Sequence, residues 1–597
     1  MILTNDFTKR EDPFSEGTNV TLGCFLGCYR EGQGQVSHRE IASGKSQITK
    51  RQRRREGREE RTKEESERET ERMETAKEGR KQQRTDESKR AMTHSVYPSV
   101  FTDDAGTTAR LLGDSGTTGG VAANPCSRRG ITSSEVVQKY IMRIKEINPF
   151  INAVVDDRFT EAIIEARNYD QQLKDDKFDI KTLEKEKPLY GVPITIKECC
   201  AVKGCSHTGC TLSRKGIKAD YDAAIVEMLR NAGAIPLCVT NTPEMCCGFD
   251  STNLLYGRTY NPYDTRYSAG GSSGGEGALL GAGGSVIGIG SDFAGSIRVP
   301  AFFNGIFGHK PTSGIIPTNG HLPFTEDKYF QKLLTFGPMT RYAEDLGLLM
   351  KVMTSKCNHD LRLDVPVDLK QIKIYYRQSL DKTFGVVSMS KEIENCVLKA
   401  ANHFARYNVR AEKLPIEWPV TIVDIALTGF LNVKKVPQML LNANDSKHHK
   451  NVNIELMKTL FGLSEHTKQM LFFIIPLETH FPFTESEISY YRKHAEEIQQ
   501  KLLDLLGDNG VFIYPTFRKQ FLPQFVLCET MSSLNCVIFN LFGFPAAHVP
   551  MGLNHEGMPI GVQVIAAPYQ DRLCLAVAKE LEMAFGGWVP PSVSISD

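Results

Sequence analysis

Apolar residues are almost absent from Lys50 to Arg90, a stretch in which Met73 and Ala76 are the only ones. No face is left there to pack on a core, so the segment is expected to be a solvated, disordered tail. The basic cluster Lys50 to Arg55 (KRQRRR) resembles a nuclear-import or nucleic-acid patch, but a solvated charge run accounts for it as well. An uninterrupted apolar run of about 18 residues is also lacking. Val20 to Cys28 is too short and too rich in glycine to cross a bilayer, and Asp6, Lys9, Arg10, Glu11 and Asp12 precede any apolar stretch. Neither a signal peptide nor a membrane span is expected, and the Asn19-Val20-Thr21 sequon then has no secretory context. An excess of one charge is missing too: 72 Lys plus Arg meet 71 Asp plus Glu, a net +1. No nucleic-acid partner is expected on that ground. The 15 cysteines lack the spaced framework of a secreted disulfide scaffold, being odd in number and including the adjacent pairs Cys199-Cys200 and Cys246-Cys247. The expected location is therefore intracellular, either cytoplasmic or peripherally attached to a membrane.

What is present reads as an α/β protein. Ser133-Ser134 can cap a helix on which Val136, Val137, Tyr140, Ile141 and Ile144 follow helical spacing. Tyr190 to Ile196 is a short β-prone run, Ala223 to Ala232 an amphipathic helix and Ile235 to Val239 a strand. Strand, helix, strand implies a layered sheet. Toward the end, Gly510 to Tyr514 and Ile560 to Ile565 resemble buried strands, and Leu573 to Phe585 a closing helix. The expected division is a charged tail over 1–93 and one domain over 94–597.

Gly270 to Ser296 reads GGSSGGEGALLGAGGSVIGIGSDFAGS. A phosphate loop needs a lysine directly after its glycines, or a G-x-G-x-x-G with a later acidic residue, and neither is here. Ser43-Gly44-Lys45-Ser46 imitates the end of such a loop, but Arg39 stands where its first glycine belongs. Close backbone packing explains glycines but not serines. Ser285 to Gly290 resembles a buried strand broken by Ser291-Asp292, and Ala294 to Arg298 resembles the opening of a helix bounded by Pro300. Ser296 would then sit at a helix N-terminus, where free N–H groups stabilise an oxyanion. A serine nucleophile needs a base. His207, His309, His321 and His548 lie in no recognisable triad motif and read as ordinary residues. The other base is a lysine held neutral, and Lys197 ends an apolar strand. Keeping an amine neutral near pH 7 costs roughly 5 kcal/mol, so its surroundings would have to be dry and rich in partners.

GVPITIKE (Gly191 to Glu198), GGSSGGEGALL and GSDFAGSIRVP, in that order, resemble the motifs of the amidase signature enzymes. Phe302 to Pro311, Asp508 to Pro515 and Phe585 to Val589 are similar to the type 2 fatty-acid amide hydrolases within that family. The resemblance covers about residues 130 to 592. It implies the amidase-signature fold, a large mixed central sheet with helices on both faces. It also implies a Ser-Ser-Lys triad with Lys197 as base, Ser272 as bridging serine on a cis peptide and Ser296 as nucleophile. Ser273 would support the network, the N–H groups of Phe293, Ala294, Gly295 and Ser296 would form the oxyanion hole, and Asp292 and Arg298 would brace the loop. The resemblance further implies hydrolysis of a small-molecule lipid amide through an acyl-enzyme, with no metal and no organic cofactor. Peripheral membrane contact and a homodimer are both compatible with it. An amidotransferase-type amidase subunit, a small-amide hydrolase and a non-catalytic scaffold are the alternatives. The family usually carries Gly-Gly-Ser where Ala294-Gly295-Ser296 stand here; a positive φ at Ala294 would strain the loop by roughly 1 to 2 kcal/mol. A family-like first helix is hard to find in Gly106 to Arg129. Met470 to Phe483 (MLFFIIPLETHFPF) reads either as a core helix interrupted after Ile475 by Pro476, or as the lining of an acyl channel or a membrane contact, with Leu460, Phe461 and Leu463 shortly before it.

Overall fold

The computed structural model describes residues 131–591, apart from 176–179, 381–386, 418–420, 436, 441–449 and 480–482. The expectations for the tail over 1–93 and for Gly106 to Arg129 lie outside the described residues.

Eleven strands form one mixed sheet. In chain order the strands are β1 (Val154–Asp157), β2 (Pro193–Lys197), β3 (Ile235–Thr240), β4 (Thr252–Asn253), β5 (Gly257–Arg258), β6 (Ile287–Asp292), β7 (Phe307–Lys310), β8 (Thr335–Thr340), β9 (Lys373–Tyr376), β10 (Ala411–Lys413), β11 (Gly510–Pro515), β12 (Ala546–Leu553) and β13 (Pro559–Ala566). The sheet order is β1-β3-β2-β6-β8-β7-β12-β13-β11-β9-β10, with β4 and β5 paired separately. β2 is parallel to both β3 and β6, while β6 to β8 and β12 to β13 are antiparallel. Parallel strands need crossovers, and the amphipathic helix Ala224–Asn231 supplies the one between β2 and β3.

Both faces of the sheet are covered. On β11, Phe512 and Tyr514 belong to one apolar core and Val511 and Ile513 to another, as the two-residue period of a strand requires. Helix Glu485–Leu506 contributes Ile498, Leu502 and Leu506 to the first core. Helix Asp571–Phe585 contributes Leu573, Val577 and Leu581 to the second.

Helix Ser133–Ile151 buries the expected apolar stripe, but its cap is Thr132 rather than Ser133 or Ser134. Thr132 and Glu135 cap each other reciprocally, a capping box in which each satisfies a backbone N–H of the other. Helix Lys468–Thr479 runs through Pro476 instead of stopping at Ile475. Its Met470, Leu471 and Ile474 are fully buried, and that packing outweighs the single backbone hydrogen bond the proline removes.

Candidate active site

Lys197 is the last residue of β2 and is completely buried. Its Nζ lies 2.6 Å from Ser272 Oγ and 3.0 Å from Ser291 Oγ. The parallel pairing of β2 with β6 sets the lysine beside the end of β6, where Ser291 and Asp292 continue the strand. The sequence pattern suggested a break at those two residues. The strand persists because both pair with β8, Ser291 opposite Phe336 and Asp292 opposite Thr335.

Ser272 follows a cis peptide after Gly271. A Cβ on Gly271 would lie 2.6 Å from Gly248 O and 2.8 Å from the Phe249 carbonyl carbon, so only glycine lets these segments meet. Ser273 Oγ sits at the end of β6, 3.3 Å from Ser291 O, and Ser273 N–H donates to Ser296 O at 3.2 Å. That main-chain bond brings the two serine segments together. Among the described residues Ser296 Oγ has no hydrogen bond of its own. Ser296 is also the more open of the two serines, at 6% exposure against 1% for Ser272.

Asp292 and Arg298 form a completely buried pair at 3.1 Å. Burial alone would raise the Asp292 carboxyl, but the Arg298 guanidinium overrides it and holds the group well below the usual carboxylate range. The carboxylate accepts Gly295 N–H at 2.7 Å and Ile297 N–H at 3.1 Å, which folds residues 293–297 into a turn around it. Helix Arg298–Phe303 begins only after that turn, so Ser296 lies before the helix and not at its first position. Pro300 falls within the first turn, where a missing N–H costs nothing, and does not bound the helix. Gly295 N–H, expected as an oxyanion donor, is directed to Asp292. The N–H groups of Phe293, Ala294 and Ser296 have no partner among the described hydrogen bonds. The positive φ falls on Gly295, at 113°, and Ala294 is not among the residues with positive φ. The strain considered for Ala294 is therefore absent.

Several contributors were missed in the sequence. Arg298 Nη1 donates to Gln563 Oε1 at 3.0 Å and to Cys536 O at 3.1 Å, while Nη2 donates to Asn540 Oδ1 at 2.6 Å. Asn540 Nδ2 in turn donates to Asp292 Oδ1 at 2.9 Å. These residues stand more than two hundred positions from the glycine-rich stretch, and no local motif marks them. His321, read as ordinary, approaches Ser291 Oγ with Nε2 at 2.9 Å, while Nδ1 lies 3.0 Å from Pro323 O. A carbonyl only accepts, so Nδ1 carries the proton and Nε2 is the acceptor for Ser291 O–H. With Ser291 so directed, its oxygen accepts from Lys197, and the lysine's remaining partner is Ser272.

The arrangement is a buried amine, a hydroxyl against it, a second and more open hydroxyl, and backbone donors beside that second hydroxyl. It suits acyl transfer at a carbonyl. The amidase family model matches residues 135–575. The chain is 38% identical to fatty-acid amide hydrolase 2 of Homo sapiens, over 78% of this chain and 88% of the relative. It is 40% identical to fatty-acid amide hydrolase 2-A of Danio rerio, over 79% and 88%. Among solved structures, the peptide amidase of Stenotrophomonas maltophilia is similar in fold, with a TM-score of 0.61 at 21% identity over 78% of this chain and 96% of that one. The chain thus belongs to the amidase signature family and is an amide-hydrolysing enzyme.

Proposed function

We propose that the chain hydrolyses fatty-acid amides to free fatty acid and amine, through Lys197, Ser272 and Ser296 and an acyl-enzyme intermediate. The observation that carries the reading is the 2.6 Å contact of Lys197 Nζ with Ser272 Oγ inside a fully buried site. Lys197 takes the proton of Ser272, Ser272 takes that of Ser296, and Ser296 Oγ attacks the carbonyl carbon. The charge that develops on the carbonyl oxygen is met by the N–H groups of Phe293, Ala294 and Ser296. The proton returns along the same relay to the departing amine. Water then repeats the sequence to release the acid. Asp292 and Arg298 hold the loop, Ser273 ties it to Ser272, and Ser291 with His321 orients the lysine.

Two features favour a lipid substrate over a small one, beyond the likeness to fatty-acid amide hydrolases. Phe473 meets Phe249 edge-on at 5.7 Å, and both pack in the apolar cluster that includes Ala294 and Phe293, so apolar packing continues from helix Lys468–Thr479 to the turn that carries Ser296. On the same side of the sequence, Met457, Leu460, Phe461 and Leu463 are exposed, the last three by more than 70%. An apolar patch of this kind suits contact with a membrane from which a lipid amide is drawn. Among the described residues no helix is long and apolar enough to cross a membrane.

The test is labelling with a fluorophosphonate and mapping of the modified peptide. Label on Ser296, lost in Ser296→Ala together with turnover, is the expected result. Label elsewhere, or full activity in Ser296→Ala or Lys197→Ala, overturns the triad.

A further inference from the structure

Just beyond the lysine, Cys199, Cys246 and His321 present Sγ, Sγ and Nε2 within 4.8 Å of one another. Cys199 Sγ and His321 Nε2 are 3.3 Å apart. In a tetrahedral zinc site, bond lengths of about 2.3 Å to sulfur and 2.0 Å to nitrogen place S and N about 3.6 Å apart and two sulfurs about 3.8 Å apart. The cluster therefore has to tighten by no more than about 1 Å at its widest pair. Its imidazole is already in the tautomer that binds metal through Nε2, because Nδ1–H is engaged by Pro323 O, and Nε2 lies 3.3 Å from Cys199 Sγ beside its 2.9 Å contact with Ser291 Oγ, which a metal would displace. The main chain holds two of the three ligands in register: Leu322 N–H donates to Cys199 O at 2.8 Å, and Cys200 bridges to His321. Cys246 ends a short turn in which both Met245 and Cys246 take left-handed φ, at 49° and 60°, and it is the one member of the three with appreciable exposure.

We infer that Cys199, Cys246 and His321 bind one zinc-class divalent cation. On binding, the hydrated ion sheds water, two S–H bonds break with both protons leaving to solvent, two metal–sulfur bonds and one metal–nitrogen bond to His321 Nε2 form, and a retained water completes the tetrahedron, with no electron transferred. Two thiolates cancel the charge of a divalent ion, so the buried complex is neutral and escapes the cost of an unpaired interior charge. Two sulfurs with one imidazole select a zinc-class ion over calcium or magnesium, which take oxygen ligands. The metal occupies His321 Nε2, the acceptor for Ser291 O–H. Ser291 then loses the contact that orients it toward Lys197, and hydrolysis falls. This last consequence rests on the proposed triad, whereas the binding does not.

The test uses the full chain, freed of metal by a chelator. Cobalt(II) added to the wild type should give a thiolate-to-cobalt charge-transfer band and the ligand-field bands of a tetrahedral site, and equilibrium dialysis with zinc should find one tightly held ion. Cys246→Ser should lose the bands and bind at least tenfold more weakly while still hydrolysing amide without metal. Cys528→Ser, at an exposed cysteine remote in sequence, should behave as the wild type. Zinc should inhibit the wild type reversibly and spare Cys246→Ser. Absent charge transfer in the wild type, or equal affinity in a Cys246→Ser protein with an unchanged melting temperature, overturns the site. Tight binding with undiminished hydrolysis overturns the coupling to Ser291. A protein that hydrolyses no amide at all fails the proposed function, and the cobalt spectrum still decides the site.

Discussion

A Cβ placed on Gly295 would lie 2.7 Å from Cys536 Cβ, so the turn before Ser296 rests directly on the helix Leu534–Leu541. Gly295 also has φ of 113°, where an L side chain is strained. Gly295→Ala therefore meets overpacking and backbone strain together, about 2 kcal/mol or more. Turnover should fall at least tenfold and the melting temperature should drop. An unaltered kcat/KM would show that the turn has room to yield.

Ala294→Gly should do little, by contrast. Ala294 carries no positive φ for glycine to relieve. Catalytic efficiency within about threefold of the wild type is expected, and a gain of tenfold would mean that the alanine holds the loop away from its working geometry.

Breaking the Asp292–Arg298 pair leaves a buried charge alone. Asp292→Asn should cost about 3 to 5 kcal/mol of stability and most of the activity. Because the folded carboxyl lies below its ordinary value, its contribution is fully present above about pH 4, the unfolded carboxylate value, and is lost as pH falls through the lower folded value. The stability gap between wild type and variant, read by chemical denaturation, should therefore be flat from pH 5 to 8.

Glu276 behaves in the opposite sense. Burial pushes its carboxyl up to about 8, against the lowering effect of Thr195 and Thr240, whose hydroxyls lie 2.7 and 2.8 Å from its two oxygens. When protonated, its O–H is free to donate to Thr195, leaving the Thr195 hydrogen for Ser285 Oγ at 3.1 Å. A raised carboxyl favours the folded state most below about pH 4.3, and that advantage is lost as pH rises through about 8. The unfolding free energy of the wild type should fall over that window, with Glu276→Gln giving a visibly flatter profile. Parallel profiles would mean that the group is ionised in the fold.

Phe473→Asp should selectively harm long acyl chains. Each methylene buried along an apolar path is worth about 0.8 kcal/mol, so efficiency in the wild type should climb many-fold from acetamide toward oleamide. The climb should flatten in Phe473→Asp while acetamide is cleaved as before. Efficiency that is already flat in the wild type points to a small-amide hydrolase.

The proposed triad was legible because each member sits in a short motif whose residues are neighbours in the chain. Lys197 ends an apolar strand, and Ser272 and Ser296 stand on either side of the buried strand that apolar patterning outlines at Ser285 to Gly290. The braces were not legible, since Asn540 and Gln563 reach Arg298 only through the tertiary fold. Ser291 and Asp292 were misread for a related reason. Polar residues at the end of an apolar run suggest a stop, yet here β8 pairs with them and Lys197, His321 and Arg298 engage their side chains. Pro476 misled because the sequence lacks the record of what its helix packs against.

Arg298 spans 265 positions to reach Gln563. During synthesis, all three proposed catalytic residues leave the ribosome long before the strand that completes the brace. The nascent enzyme is thereby armed but unset: its proposed nucleophile exists while the turn that carries the proposed oxyanion donors has nothing to close against. A chain released after residue 530 should accordingly take no fluorophosphonate label, and supplying residues 531–597 separately should restore labelling in proportion to how much of the missing fragment docks.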